Sequence, residues 1–184
     1  MKTFYLLLCM SILFTACEEK HEQDNSAHDK FVKNSETAMA NLKNWENETI
    51  DYSQYAADFV MAGSGQGAPD SISLGEMKKM DAEFLAMYDF KIASDSINFL
   101  PGVDPETKKP DGSVRHYTDW EVTLPATDST EARSGIIHIY EYFSFDEAGK
   151  IVNQGTYGDF GGLMEKLMGD DEDEEHGDAE GDMD

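Results

Sequence analysis

The stretch that most limits how this chain can fold runs from Ile136 to Asp159. It reads IIHIYEYFSF, then DEAGK, then IVNQGTYGD. Two runs rich in β-branched and aromatic residues flank a short polar segment containing Gly149, a pattern that predicts an antiparallel hairpin. One face of such a hairpin must be covered, and the upstream segments are built to cover it.

From about His28 to Glu48, residues Phe31, Val32, Ala38, Met39, Leu42 and Trp45 recur at helical spacings and share one face. Lys33, Glu36, Lys43 and Asn44 fall opposite. DYSQYAAD predicts a short second helix with Asp51 as its N-cap, and FVMAG a short strand. Ser73 to Tyr88 predicts a further helix, opened by the S-x-x-E spacing of a capping box at Ser73 and Glu76. Its apolar stripe, Leu74, Met77, Met80, Phe84, Leu85 and Tyr88, reads as core.

Phe90 to Leu100 predicts a strand, and Pro101 to Ser113 a long turn-rich loop. Val114 to Leu124 alternates, with His116, Trp120, Val122 and Leu124 on its more apolar face. DFGGLMEKLM predicts a short closing helix. Helices, then a meander of long strands, then a last helix define an α+β domain. The expected architecture is a conical α+β barrel, with N-terminal helices covering the concave face of a curved antiparallel sheet.

The ends of the chain read differently. MKTFYLLLCMSILFTAC has a positive n-region at Lys2 and an apolar stretch too short to span a membrane. Its ending, L-F-T-A-C, resembles a bacterial lipobox. That resemblance implies a signal peptide at 1–16 and a lipid on Cys17, anchoring the protein in a Gram-negative cell envelope at the outer membrane. Residues 17–29 read as a flexible tether, 30–168 as the domain, and 169–184 as a disordered acidic tail. The formal net charge is −24, of which the tail carries −10. Such a balance argues against nucleic acid and against anionic membrane surfaces as partners.

The only cysteines are Cys9 and Cys17, so the folded part can hold neither a disulfide nor a cysteine-ligated metal. The five histidines show no paired ligand spacing, and no phosphate-cradling glycine loop occurs. Neither a metal nor a cofactor is expected.

Several segments together carry a family resemblance. YAADFVMAG, SLGEMKKM and above all YEYFSFDEAGKIVNQGTYGD, followed by a leucine-bearing helix, resemble the nuclear transport factor 2-like superfamily, in its SnoaL-like branch of polyketide-cyclase relatives. The resemblance rests most on Gly149-Lys150-Ile151-Val152 and Tyr157-Gly158-Asp159, and covers roughly residues 30–168. It implies a cone that is often a homodimer through the sheet. Its members include isomerases, cyclases, hydrolases and pure binding modules, so fold does not settle function. The long Pro101–Ser113 loop departs from the pattern. So does Gly155 within the last strand, a position where a bulge is expected.

Strand parity nominates the chemistry. If Ile137, Ile139, Glu141, Phe143 and Phe145 face inward, Glu141 is a lone carboxylate among apolar neighbours, suited to general acid–base work. Alternatively it is solvated, or pairs with Arg115 or Arg133. A register one residue out would turn His138, Tyr140 and Tyr142 inward instead; otherwise these form an outer surface suited to a dimer interface. Asp159 is either an active carboxylate at the cone mouth or the cap of the last helix. The catalytic candidates are therefore Glu141, Asp159 and His116. The expected ligand wall is Trp45, Tyr55, Phe59, Met61, His116, Trp120, Glu141 and Tyr157, around a small apolar or amphipathic molecule.

Overall fold

Helix α1, Ser26–Glu46, opens the part of the chain that this computed structural model describes, residues 26–65 and 67–169. It starts within the segment read as a tether. The expected signal peptide, Cys17, the rest of that tether and the acidic tail beyond Gly169 lie outside the described residues. The buried face of α1 carries Asn34, Ala38, Asn41 and Leu42, while Val32, expected on it, is 47% exposed. Two asparagines displace apolar residues there because each has a buried partner. Asn34 Nδ2 donates to the Gly112 carbonyl at 2.9 Å, and Asn41 Nδ2 to Tyr55 Oη at 2.8 Å.

After α1 the expected second helix is only a 3-10 turn, Tyr52–Gln54, capped by Asp51, whose carboxylate accepts from Ser53 N. Strand β1 begins at once and runs Tyr55–Ala62. A short β2, Ser71–Ser73, pairs with it and leads into helix α2, Leu74–Met87, through the predicted capping box. Buried positions on α2 include Met77 and Asp81, whereas Phe84 is exposed.

The segment expected as one strand over 90–100 is two, β3 Asp89–Ile92 and β4 Asn98–Val103. Between them the Ser94 hydroxyl accepts from Asp119 N at 2.8 Å, in place of a ladder carbonyl. Both strands pair with β5, Pro110–Leu124. The expected long loop thereby shrinks to the 104–109 connection, where Asp104 Oδ1 accepts from Glu106 N and Thr107 N.

Strands β6, Arg133–Phe145, and β7, Ile151–Tyr157, form the predicted hairpin, and helix α3, Phe160–Met168, closes the domain. Gly149 takes φ +80° in the turn, a left-handed conformation natural to glycine. The seven strands make one mixed sheet in the order β2-β1-β7-β6-β5-β3, with β4 beside β5, and the sheet is not closed. Every pair is antiparallel except β1 with β7, which is parallel.

Helices α1, α2 and α3 of the described residues pack on one face of the sheet, producing two apolar clusters. One gathers Ala38, Tyr55, Phe59, Met77, Val114, Phe143 and Ile151; the other gathers Leu42, Trp120, Val122, Ile137, Ile139, Leu163 and Leu167. Phe99 packs against both.

The register shift in the hairpin falls between Ser144 and Phe145, which pair with Asn153 and Ile151 and leave Val152 as the extra residue. Gly155 is not the bulge. It pairs regularly with Tyr142, and a Cβ there would overlap the Tyr142 ring.

Candidate functional site

The register decides which groups meet on the concave face. One row across the sheet is Phe99, His116, Glu141 and Thr156; the next is Val114, Phe143, Gln154 and Met61. Glu141 therefore faces inward, at 7% exposure, and His116 beside it is 0% exposed. The first of these rows lies between the two apolar clusters.

Glu141 is not alone there. Its Oε2 lies 3.0 Å from His116 Nε2. Its Oε1 accepts from Gln154 Nε2 at 2.7 Å and from Thr156 Oγ1 at 2.6 Å. The far side of the imidazole is also engaged, with His116 Nδ1 2.8 Å from Thr118 Oγ1. The ring is stacked on Phe143 and edge-on to Phe99. An ionised carboxylate only accepts, so His116 Nε2 carries a proton toward Glu141. Neither Arg115 nor Arg133 is the partner of Glu141. Arg115 pairs with Tyr142 and so sits on the opposite face; Arg133 pairs with Leu124 at the far end of β6.

A second polar group adjoins the first. Tyr55 Oη accepts from Asn41 Nδ2, which also donates to Gln54 Oε1 at 3.1 Å. Burial pushes the Tyr55 phenol up, the Asn41 bond opposes that, and the nearby carboxylates of Glu141 and Asp81 add to it. Asp81 itself is buried on α2 and accepts from Tyr52 Oη at 3.0 Å. Burial raises the Asp81 carboxyl to about 6, against the pull of the Tyr52 bond. Burial also pushes the Tyr52 phenol up to about 12, reinforced by Asp81.

The remaining expected site residues divide. Tyr55 and Phe59 stand edge-on at 4.9 Å in the first cluster, with Met61 packed against it. Trp120 lies in the second, with Trp45 edge-on to Phe90 at its margin. Tyr157 does not line the concave face. It pairs with Tyr140, is 45% exposed, and belongs to an outer row, Tyr117–Tyr140–Tyr157, with ring centroids 5.2 and 6.2 Å apart. Asp159 acts as the cap of α3, accepting from Gly162 N at 3.0 Å. His138 is on the outer face, 2.7 Å from Asp119.

Parity pointed to Glu141 and His116 but missed Gln154, Thr156, Thr118, Asn41 and Asp81. Thr118 shares the alternation of His116 and was legible; Gln154 and Thr156 depend on the bulge at Val152. Among the described residues no group of three or more His, Cys, Asp or Glu could hold a metal ion, and no helix is long and apolar enough to cross a membrane.

Three helices laid on one face of an open, curved sheet, with polar groups held between two apolar clusters, make this an α+β cone of the kind found in SnoaL-like proteins. A putative polyketide cyclase from Xanthomonas campestris superposes with TM-score 0.59 at 10% identity, covering 75% of this chain and 98% of that one. A putative SnoaL-like polyketide cyclase from Shewanella denitrificans gives 0.53 at 13%, covering 75% and 98%. A phenazine biosynthesis-related protein from Pseudomonas aeruginosa gives 0.55 at 13%, covering 78% and 90%. Identities this low establish the fold alone. No family model matches the sequence, and no curated protein sequence matches it either.

Proposed function

We propose that the concave face binds a small amphipathic molecule, its apolar body against the two clusters and its polar end toward Glu141. The observation that supports this reading is the polar row at the boundary of the clusters. A domain that needed only a core would fill these positions with apolar side chains, because buried polar groups cost free energy unless every one is paired. Polar groups converging on a mostly apolar concavity are the usual composition of a ligand site. Native mass spectrometry of protein isolated from its own cells tests it: a non-covalent adduct lost on Glu141→Leu substitution is expected. A crystal structure with a solid core and no cavity at Glu141 would refute it.

One contact favours a second reading, an enzyme of the isomerase or cyclase type. Glu141, held by His116 at 3.0 Å, has the geometry of an oriented general base. The putative polyketide cyclases among the structural neighbours support that class. In this reading Glu141 exchanges a proton with the substrate while His116 positions it. Glu141→Gln would then abolish turnover and leave binding nearly unchanged.

The domain is proposed to sit in the envelope, tethered through a lipid on Cys17, and to pair with a second copy through the outer tyrosine row. Cys17→Ala should move the protein to the soluble fraction; retention in the membrane fraction would count against the anchor.

A further inference from the structure

The amide of Gln154 narrows the chemistry of the bound molecule. Gln154 is 6% exposed and its Nε2 donates to Glu141 Oε1. A carboxylate cannot donate, so this bond fixes which way the amide points. Gln154 Oε1 is left as a buried acceptor with no protein donor among the described residues. The donors of the adjoining polar groups do not serve it, and the Tyr55 hydroxyl, which still has a proton to give, makes no bond to it either. The Thr156 hydroxyl is given to Glu141, both His116 nitrogens are engaged, and Asn41 donates to Tyr55 and Gln54. Buried acceptors are rarely left so, because they lose water without a replacement.

The charge around it points the same way. Among the described residues the buried polar side chains include two acids, Glu141 and Asp81, and no Lys or Arg. Burial keeps their field effective, so an anion placed beside them would be repelled.

Resting on the binding reading above, we infer that the site selects a neutral molecule whose hydroxyl group donates to Gln154 Oε1, and rejects carboxylates. The hydroxyl supplies the one interaction the protein withholds from that oxygen. An ether or ketone of the same size brings a second acceptor to an acceptor. Sites with a buried polar group to satisfy discriminate strongly against analogues that cannot pair with it.

Phenol, anisole and benzoate form a matched set of probes. Each is titrated into the full, isotopically labelled chain, with the Gln154 side-chain amide resonances and the concave-face amides as readouts. Phenol should bind at least about ten-fold more tightly than anisole, with benzoate weaker still. Gln154→Met should bring phenol and anisole to the same affinity; the wild-type comparison stands alone if that variant does not fold. Equal binding of phenol and anisole to the wild type would overturn the inference, as it would mean that water satisfies Oε1, and would leave the binding reading intact. Tighter binding of benzoate would also overturn it. No perturbation of the concave face by any of the three would remove the binding reading itself.

Discussion

Replacing Glu141 by leucine separates a satisfied polar network from ordinary burial, because the two views predict opposite signs. Three donors converge on this carboxylate: Gln154 Nε2 at 2.7 Å, Thr156 Oγ1 at 2.6 Å and His116 Nε2 at 3.0 Å. Leucine offers none of them an acceptor. Thr156 is only partly buried and can turn toward water, and His116 can move its proton to Nδ1, where the Thr118 hydroxyl can accept it. Neither route is free, and Gln154 Nε2 has no such escape. Each buried group left unpaired costs about 1–3 kcal/mol. Burying the leucine side chain returns about 1.5–3 kcal/mol. With about 2 kcal/mol for Gln154 Nε2 and about 1 kcal/mol for each of the two rearrangements, the net expectation is a loss of about 2 kcal/mol, or roughly 1 M in the urea midpoint at an ordinary slope for a domain of this size. Glu141→Gln should cost no more than about 1 kcal/mol, since either a His116 proton shift or a Gln154 amide flip restores complementary pairing. The double variant Glu141→Leu/Gln154→Met should lose less than the sum of its parts, because the second change removes a donor the first orphaned. Equilibrium urea unfolding of the wild type, the three single variants Glu141→Leu, Glu141→Gln and Gln154→Met, and the double variant reads this directly. A Glu141→Leu variant as stable as the wild type, or more stable, would refute the network as drawn.

Asp81 carries a pH dependence of definite sign. Its folded carboxyl is raised to about 6 from 3.8 by burial, so the fold prefers the protonated acid. Its contribution to stability is fully present below about pH 4 and is lost as pH rises through 6. Asp81→Asn, which keeps an acceptor for Tyr52, should therefore exceed the wild type by about 1–2 kcal/mol at pH 8 and match it near pH 4 in thermal unfolding. On the outer face, Tyr140→Arg places a charge in the middle of the Tyr117–Tyr140–Tyr157 row and should convert a dimer to a monomer by size-exclusion chromatography with light scattering. A wild type that is already monomeric would end that proposal. Gly155→Ala should cost about 1–3 kcal/mol by displacing the Tyr142 ring, whereas Gly65→Ala, with nothing within 4 Å of its Cβ, should be nearly neutral in the same unfolding assay.

Elements were legible where one local signal governed them. The β6–β7 hairpin, the capping box at Ser73 and Glu76 and the cap at Asp159 each depend on neighbours within a few residues, and each forms. Where a long-range partner decided the outcome, local reading failed. Val32 looked like core on α1, but the buried face is rotated toward Asn34 and Asn41, whose partners Gly112 and Tyr55 lie 78 and 14 residues away. A polar residue on a helix reads as solvent-facing until its partner is known. The parallel pairing of β1 with β7 is of the same kind, since nothing in either strand's own sequence announces the direction of the other.

The site shows the same division at finer grain. Alternation along β6 turned Glu141 inward, and alternation along β5 did the same for His116; their direct pairing needed only the β5–β6 register. Thr156 and Gln154 needed more. With Val152 paired rather than looped out, the turn carrying Gly149 would extend the Phe145–Ile151 register and set Glu141 opposite Gly155, which has no side chain to donate. Looping Val152 out of the ladder places Thr156 opposite Glu141 and Gln154 opposite Phe143, and so creates two of the three hydrogen bonds that hold the carboxylate. The glycine that looked like the irregularity is instead the residue that admits the Tyr142 ring on the outer face. One backbone irregularity therefore serves both surfaces of the sheet. It supplies donors to the buried carboxylate within and leaves the side-chain-free position under a tyrosine without. Forcing Val152 into the ladder instead of looping it out would set Gly155 opposite Glu141 and exchange these roles in one step, which is why the bulge, more than any individual side chain, fixes the chemistry of the concave face.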